Sequence, residues 1–524
     1  RKLSSYLKTK RQEDITRIPE LKTMLDINQD QDKWTSLADN KNEKEAALSQ
    51  RRLEELRSTT DFSALSDEGK LNYELYLDVF ESSILNWNYQ KNTYAFTRSS
   101  FDPYLEKATF LIDRHRINTA EDAENYITRL SGIAELLEEL KEATASRAEK
   151  GIILPAFNFD DISAASKTMA SGKPCDRSDH QNRLWADFNK KMAAINITKD
   201  KEEYLLQKAS RVLTEVFCPA YIEFAEIFED WGKSVTKNDG LWSVPDGDKY
   251  YRMAIEIFIK RRMDPEEIHQ IGLSEVSRIE EEILKIMEKN GFKGSVSDYF
   301  AHLNGMPAMT LPQTDTGRAA YIETATEYIK DMEKRLPDFF NVIPKKPVIA
   351  RAVEKDRESY GMMPGAAFYT RPPLVGPEPG VFYSNLVRMD KQPLWALESV
   401  TYHESIPGHH MQVALTQENK SVPDFRRSYF FGGYNEGWAL YAETLAKEMG
   451  AYPEGDHGNV GRLFWELKRA VRLVVDTGFH YKRWTIDQSA QYIADHFKAS
   501  PESAMSEMER YANWPGQALS YKLG

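Results

Sequence analysis

A chain of 524 residues, 41% of them hydrophobic, can bury a large core, and its length suits two or three packed lobes. Its net charge of −12 argues against nucleic acid as a partner, because a phosphate backbone is met by Lys and Arg gathered on one face. No apolar run is long enough to span a bilayer, and the mean hydropathy is −0.59.

In chain order, Arg1 in place of an initiator Met leaves room for a signal or lipidated segment ahead of the sequence. Helical patterning then dominates. Residues 41–58 read as a charged helix, with the Lys41 to Arg52 charge run on a solvated face. Residues 120–148 repeat Tyr126, Leu130, Ile133, Leu136, Leu137 and Leu140 at helical spacing, and residues 200–228 predict a further helix. Cys175 lies in a polar loop, whereas Cys218 sits among Val212, Leu213, Val216 and Phe217 and reads as core. The two can pair or stay free, and they make neither a disulfide scaffold nor a thiolate zinc site. A turn-rich stretch from Lys233 to Asp248 divides an N-terminal helical lobe, 1–240, from a second lobe, 241–524.

The second lobe predicts helices over 264–290, 316–335 and 460–483. Residues 346–387 break the pattern: Lys346 to Val353, Ala366 to Tyr369 and Val381 to Tyr383 look like short strands punctuated by Pro and Gly. A small sheet therefore precedes the next helix, 394–415. Gly380 to Asn385 is a candidate edge strand, able to pair with an extended peptide and to offer Tyr383 and Asn385 to a substrate; the same residues also suit an ordinary scaffold hairpin.

The helix over 394–415 carries the chemistry. Behind an apolar lead-in of Leu394, Leu397 and Val400 comes Tyr402-His403-Glu404-Ser405-Ile406-Pro407-Gly408-His409-His410-Met411-Gln412, which gathers three of the ten histidines with a carboxylate. In the zincin helix His-Glu-x-x-His, two His one turn apart hold zinc and the Glu activates water. Here Pro407 stands where the second ligand belongs. On an unbroken helix, at about 100° per residue, His409 would sit roughly 240° around from His403, and His410 about 10 Å along the axis. Pro407 cannot donate to the carbonyl of His403, and Gly408 tolerates an unusual backbone, so a π-type insertion of two residues is predicted to bring His409 into the ligand position, with His410 the alternative.

Catalytic zinc needs a third protein ligand. The segment Gly432 to Glu443 supplies one: Asn435 suits an N-cap, and Trp438, Tyr441, Leu445 and Met449 form an apolar stripe. Glu436, at the helix start, is the predicted ligand; Glu443, two turns on, would orient a ligating His. Two groups are candidates for stabilising a developing oxyanion: His480, with Asp476 one turn before it to orient the ring, and Tyr521.

The run His403 to Gln412, the segment Asn435 to Glu443, Val475 to His480 and Pro515 to Gly524 together resemble the bacterial family called domain of unknown function 885. The likeness extends more loosely to Arg116-Ile117-Asn118, the Tyr126 to Leu137 helix and Met263 to Glu267. It implies a mainly α, large multi-helix scaffold of zincin-like metallopeptidase type, and an extracytoplasmic lipoprotein with an anchor outside this sequence. The expected activity is a hydrolase with one zinc per chain held by His403, His409 and Glu436, with Glu404 as general base. Peptides are the favoured substrate by analogy, with non-peptide amides or esters, or an inactive extracytoplasmic metal- or peptide-binding protein, as alternatives. Retention of Glu404 beside His403 favours an enzyme, since a binding protein has no need of a general base.

Overall fold

The computed structural model describes residues 2–98, 102–355, 367–453 and 457–524, and the chain divides into two compact units. The first comprises Arg1–Asn238 with Pro423–Phe425, and the second Asp239–Val422 with Arg426–Gly524.

The first unit is helical. Helix α1 (Asp39–Thr59) carries the charge run, but its face is not wholly solvated: Ala46, Ser49 and Arg52 are buried, and Arg52 pairs with Glu13 and Asp14 at 2.8 Å each. Helix α2 (Ala120–Ala148) starts at a capping box, in which Thr119 and Asp122 satisfy each other's backbone N–H groups, and it buries Tyr126, Leu130, Ile133, Leu137 and Leu140 along one stripe. Helix α3 (Lys199–Val212) runs through a π turn at Leu213–Phe217 into α4 (Cys218–Gly232). Cys175 and Cys218 are joined as a disulfide, which ties a loop to the start of α4.

The second unit is helical around a small sheet. Helix α5 (Pro265–Lys289) is capped by Asp264, with Pro265 at its first position, where no N–H is missed. Helix α6 (Asp315–Phe339) precedes strands β1 (Val348–Ala352), β2 (Ala367–Thr370) and β3 (Gly380–Ser384). Ala366, placed in the second strand from sequence, lies outside the described residues. After the sheet come α7 (Leu394–Glu404), α8 (His409–Glu418), α9 (Gly432–Glu448), α10 (Gly458–His480) and α11 (Pro501–Asn513). Tyr321, Ile329 and Met332 of α6, Val348 of β1, Phe382 of β3 and Leu397 and Val400 of α7 share one apolar core, which fixes α7 against the sheet. Helix α10 is buried along most of its length, and Gly272 lets α5 approach it: a Cβ there would stand 2.8 Å from Leu473 and Val474.

The sheet order is β1-β3-β2, with β3 parallel to β1 and antiparallel to β2. Gly380 to Ser384 is thus the central strand, and the expectation that it offers a free edge to a peptide fails, because both its ladders are taken. Tyr383 stacks on Phe368 at 5.0 Å, and the Asn385 side chain accepts from the Val387 N–H at 3.1 Å. Among the described residues, no helix is long and apolar enough to cross a membrane.

Candidate metal centre

Helix α7 does not bulge at Pro407; it ends. Ser405 leaves the helical region at φ −106°, ψ −110°, the Ile406–Pro407 peptide is cis, and α8 starts afresh at His409. The predicted π-type insertion is therefore replaced by a complete break. The freed backbone groups find new partners: the Gly408 N–H donates to the Tyr402 carbonyl at 3.0 Å and the His410 N–H to the Ser405 carbonyl at 2.9 Å. Trp438 of α9 closes the turn by donating its Nε1–H to the Pro407 carbonyl at 2.9 Å. Only glycine fits at 408, since a Cβ would meet the His403 carbonyl oxygen at 2.0 Å.

The break brings two imidazoles from different helices onto one carboxylate. His403 Nε2 lies 3.6 Å, and His409 Nε2 3.2 Å, from Glu436 Oε2, and the three residues' donor atoms all fall within 4.8 Å of one another. Glu436 comes from the first turns of α9. That helix begins at Gly432 rather than at Asn435: Asn435 lies inside it and caps from within, its Oδ1 accepting from the Phe431 N–H at 3.1 Å.

Glu443, two turns along α9, belongs to the layer behind the donors. Its Oε1 accepts from His403 Nδ1 at 2.8 Å, which turns Nε2 toward Glu436 and His409. Glu443 is itself held by the Ser399 hydroxyl at 2.6 Å and by Arg469, whose Nη2 lies 3.4 Å away. Burial opposes charge on His403, but hydrogen bonds to Glu436 and Glu443 outweigh it and lift the pKa to about 9. Burial likewise opposes ionisation of Glu436, yet His409 and His403 hold its carboxyl well below the usual range. Glu404 is buried, and desolvation raises its pKa against the opposing pull of His403 and His409, so its carboxylate lies within the electrostatic reach of the same cluster.

His410 faces the other way. Its Nε2 donates to the Lys346 carbonyl at 2.8 Å, and its Nδ1 accepts from the Tyr369 hydroxyl at 3.0 Å, so neither nitrogen is left for a shared ion. His480 is corrected on the same ground: Nδ1 accepts from the Leu241 N–H at 3.0 Å, and Nε2 donates to the Tyr511 carbonyl at 3.0 Å. Both nitrogens are engaged in the packing of α10, and burial pulls the ring's pKa down to about 4. Asp476 does not orient it; its Oδ2 accepts from the Tyr251 hydroxyl at 2.7 Å and the Gly516 N–H at 3.1 Å. Tyr521 does reach the centre, by its ring, which stacks on His403 at 6.2 Å, while its hydroxyl accepts from Arg510 and Gln517.

Three neighbours carry no strong mark in the sequence. Ser399 stands one turn before His403, a spacing that puts both on one face of α7. Arg469 is one of many polar residues along α10, among them Arg462, Glu466, Lys468, Arg472 and Asp476, so its position does not single it out. Tyr369 of β2 stacks on His409 at 6.3 Å, and no local pattern marks it.

The donor set fits zinc. Tetrahedral ligands at about 2.0–2.1 Å from an ion lie roughly 3.3 Å apart, near the separations of both imidazoles from Glu436, and two imidazoles with one carboxylate form a donor set known from zinc hydrolases.

The family described as "Bacterial protein of unknown function (DUF885)" matches residues 19–524. The chain belongs to this family. Two solved structures share the fold of this DUF885 member. The crystal structure of a "putative lipoprotein" from Colwellia psychrerythraea is 27% identical, with TM-score 0.89 over 100% of this chain and 90% of that one. A "putative lipoprotein of unknown function" from Shewanella oneidensis is 13% identical, with TM-score 0.72 over 99% of this chain and 91% of that one. A search of curated proteins finds no match.

Proposed function

We propose that this DUF885 protein is a zinc-dependent, extracytoplasmic hydrolase on a zincin-like scaffold that cleaves peptide bonds. The observation that carries the reading is the meeting of His403, His409 and Glu436 within 4.8 Å, with the buried carboxyl of Glu404 beside them. His403, His409 and Glu436 hold the ion. Bound there, zinc supplies Lewis acidity for a water and for the scissile carbonyl. Glu404 takes the proton from the attacking water and passes it to the leaving amine, a role that suits a carboxylate whose desolvation makes it a stronger base. Glu443 and Arg469 keep the His403 ring in the tautomer that presents Nε2 to the ion.

An extracytoplasmic place is supported by the Cys175–Cys218 disulfide, a bond that persists in oxidising compartments, and by the lipoprotein descriptions of the similar structures. Metal analysis of the purified protein should return close to one zinc per chain. Glu404→Gln should keep that zinc and abolish turnover of a peptide library, while His409→Ala should lose it. Loss of zinc in Glu404→Gln, or a parent protein without zinc under metal-replete conditions, would overturn the assignment.

A further inference from the structure

Most cations packed around Tyr521 have a carboxylate. Arg469 faces Glu443 at 3.4 Å, Arg472 lies 3.9 Å from Glu507, and Lys522 pairs with Glu275 at 2.6 Å and Glu466 at 2.7 Å. Arg510 of α11 differs: no carboxylate lies within 4.0 Å of it among the described residues. Its field reaches Glu507, but that group is already bound by Lys468 and Tyr511. The guanidinium spends one nitrogen, Nη2, on long bonds to the Tyr521 hydroxyl at 3.2 Å and Gln517 Oε1 at 3.4 Å. Its Nε is sequestered without a partner. A partly buried guanidinium with unspent donors is costly to leave unpaired, and its planar fork matches a carboxylate bidentately.

Arg510 is also coupled to the metal centre by position. Tyr521, which receives its hydrogen bond, stacks on the imidazole of His403. These contacts keep the guanidinium within about 12 Å of that ring, a span that three extended residues at about 3.3–3.6 Å each cover once the roughly 3 Å contact between carboxylate and guanidinium is added. We infer that Arg510, steadied by Gln517 and Tyr521, binds the C-terminal carboxylate of the substrate, so that the enzyme takes peptides with a free carboxyl end and cuts within one to three residues of it. A peptide's amino terminus has no counterpart here, since the unpaired group is a cation. The inference deepens the hydrolase reading and rests on it for the position of the cut.

The test separates the two. N-acetylated tripeptides, as free acid and as C-terminal amide, are titrated calorimetrically into zinc-loaded Glu404→Gln protein. The acid should bind about 10- to 100-fold more tightly, the scale of a lost charge-assisted pair. Adding Arg510→Gln should erase the difference, and Arg510→Lys, which keeps the charge without the fork, should restore part of it; unchanged zinc content and melting temperature show that the variants are folded. Equal affinity for acid and amide in the Arg510 protein overturns the inference. Acid-selective binding with no cleavage by the parent protein upholds the carboxylate site and overturns the hydrolase reading. Where cleavage occurs, product masses should place the cut one to three residues from the carboxyl end, and internal cuts that ignore amidation count against the inference.

Discussion

Asp476 offers a direct measurement of what burial does to a charge in this fold. The residue is 0% exposed, Oδ1 has no partner, and burial outweighs the bonds from Tyr251 and Gly516 to raise its pKa to about 7. An unfolded chain releases the same proton near pH 4. Between those values the folded protein holds a proton that the unfolded chain has lost, so this group's contribution to stability is full below about pH 4, falls as pH rises, and is gone above about pH 7. At 1.36 kcal/mol per unit, a shift of about three units makes the loss about 4 kcal/mol. Asp476→Asn keeps an acceptor for Tyr251 and Gly516 and cannot ionise. Its stability relative to the parent should therefore climb by about 4 kcal/mol between pH 4 and pH 8, equivalent to roughly 8 °C in melting midpoint for a unit of this size. Calorimetric melts of both proteins across that range provide the comparison, in which other titrating groups cancel. A difference that does not change with pH would refute the argument and place the carboxylate in a polar setting.

Other substitutions probe the proposed metal centre. Glu443→Gln should lower zinc affinity by about 10- to 100-fold in competition with a chelator, and undiminished affinity would show that the His403 ring needs no anionic support. His410→Ala should retain a full zinc content, since its nitrogens serve Lys346 and Tyr369; zinc loss would return it to the donor set. Gly408→Ala should cost more than about 3 kcal/mol on denaturation, because its methyl group would overlap the His403 carbonyl oxygen. A mild cost would mean that the turn yields.

Helical periodicity proved readable wherever one element buries one continuous stripe. Ala120–Ala148 coincides with the expected 120–148, and Gly458–His480 lies within a few residues of 460–483. Strand order was not legible, because chain order makes Gly380–Ser384 the last strand while long-range pairing makes it the middle one. At Pro407 the missing N–H signalled a disruption, but the choice between bulge and break depends on partners far along the chain, among them Trp438. Asp476 and His480 have the one-turn spacing of an interacting pair, and that spacing holds no information about Tyr251, Leu241 or Tyr511, which claim them instead.

The placement of His403 and His409 on separate helices has an evolutionary consequence. Within one continuous helix every inserted residue swings the downstream side chains by about 100°, so the interval between two ligands is frozen. Here that interval belongs to a connector, Ser405 to Gly408, whose length can drift while the flanking helices keep their packing. Distant descendants of this architecture can therefore count a different number of residues between their two histidines and still present the same trio of side chains, and they are better sought by three-dimensional superposition than by letters in a row.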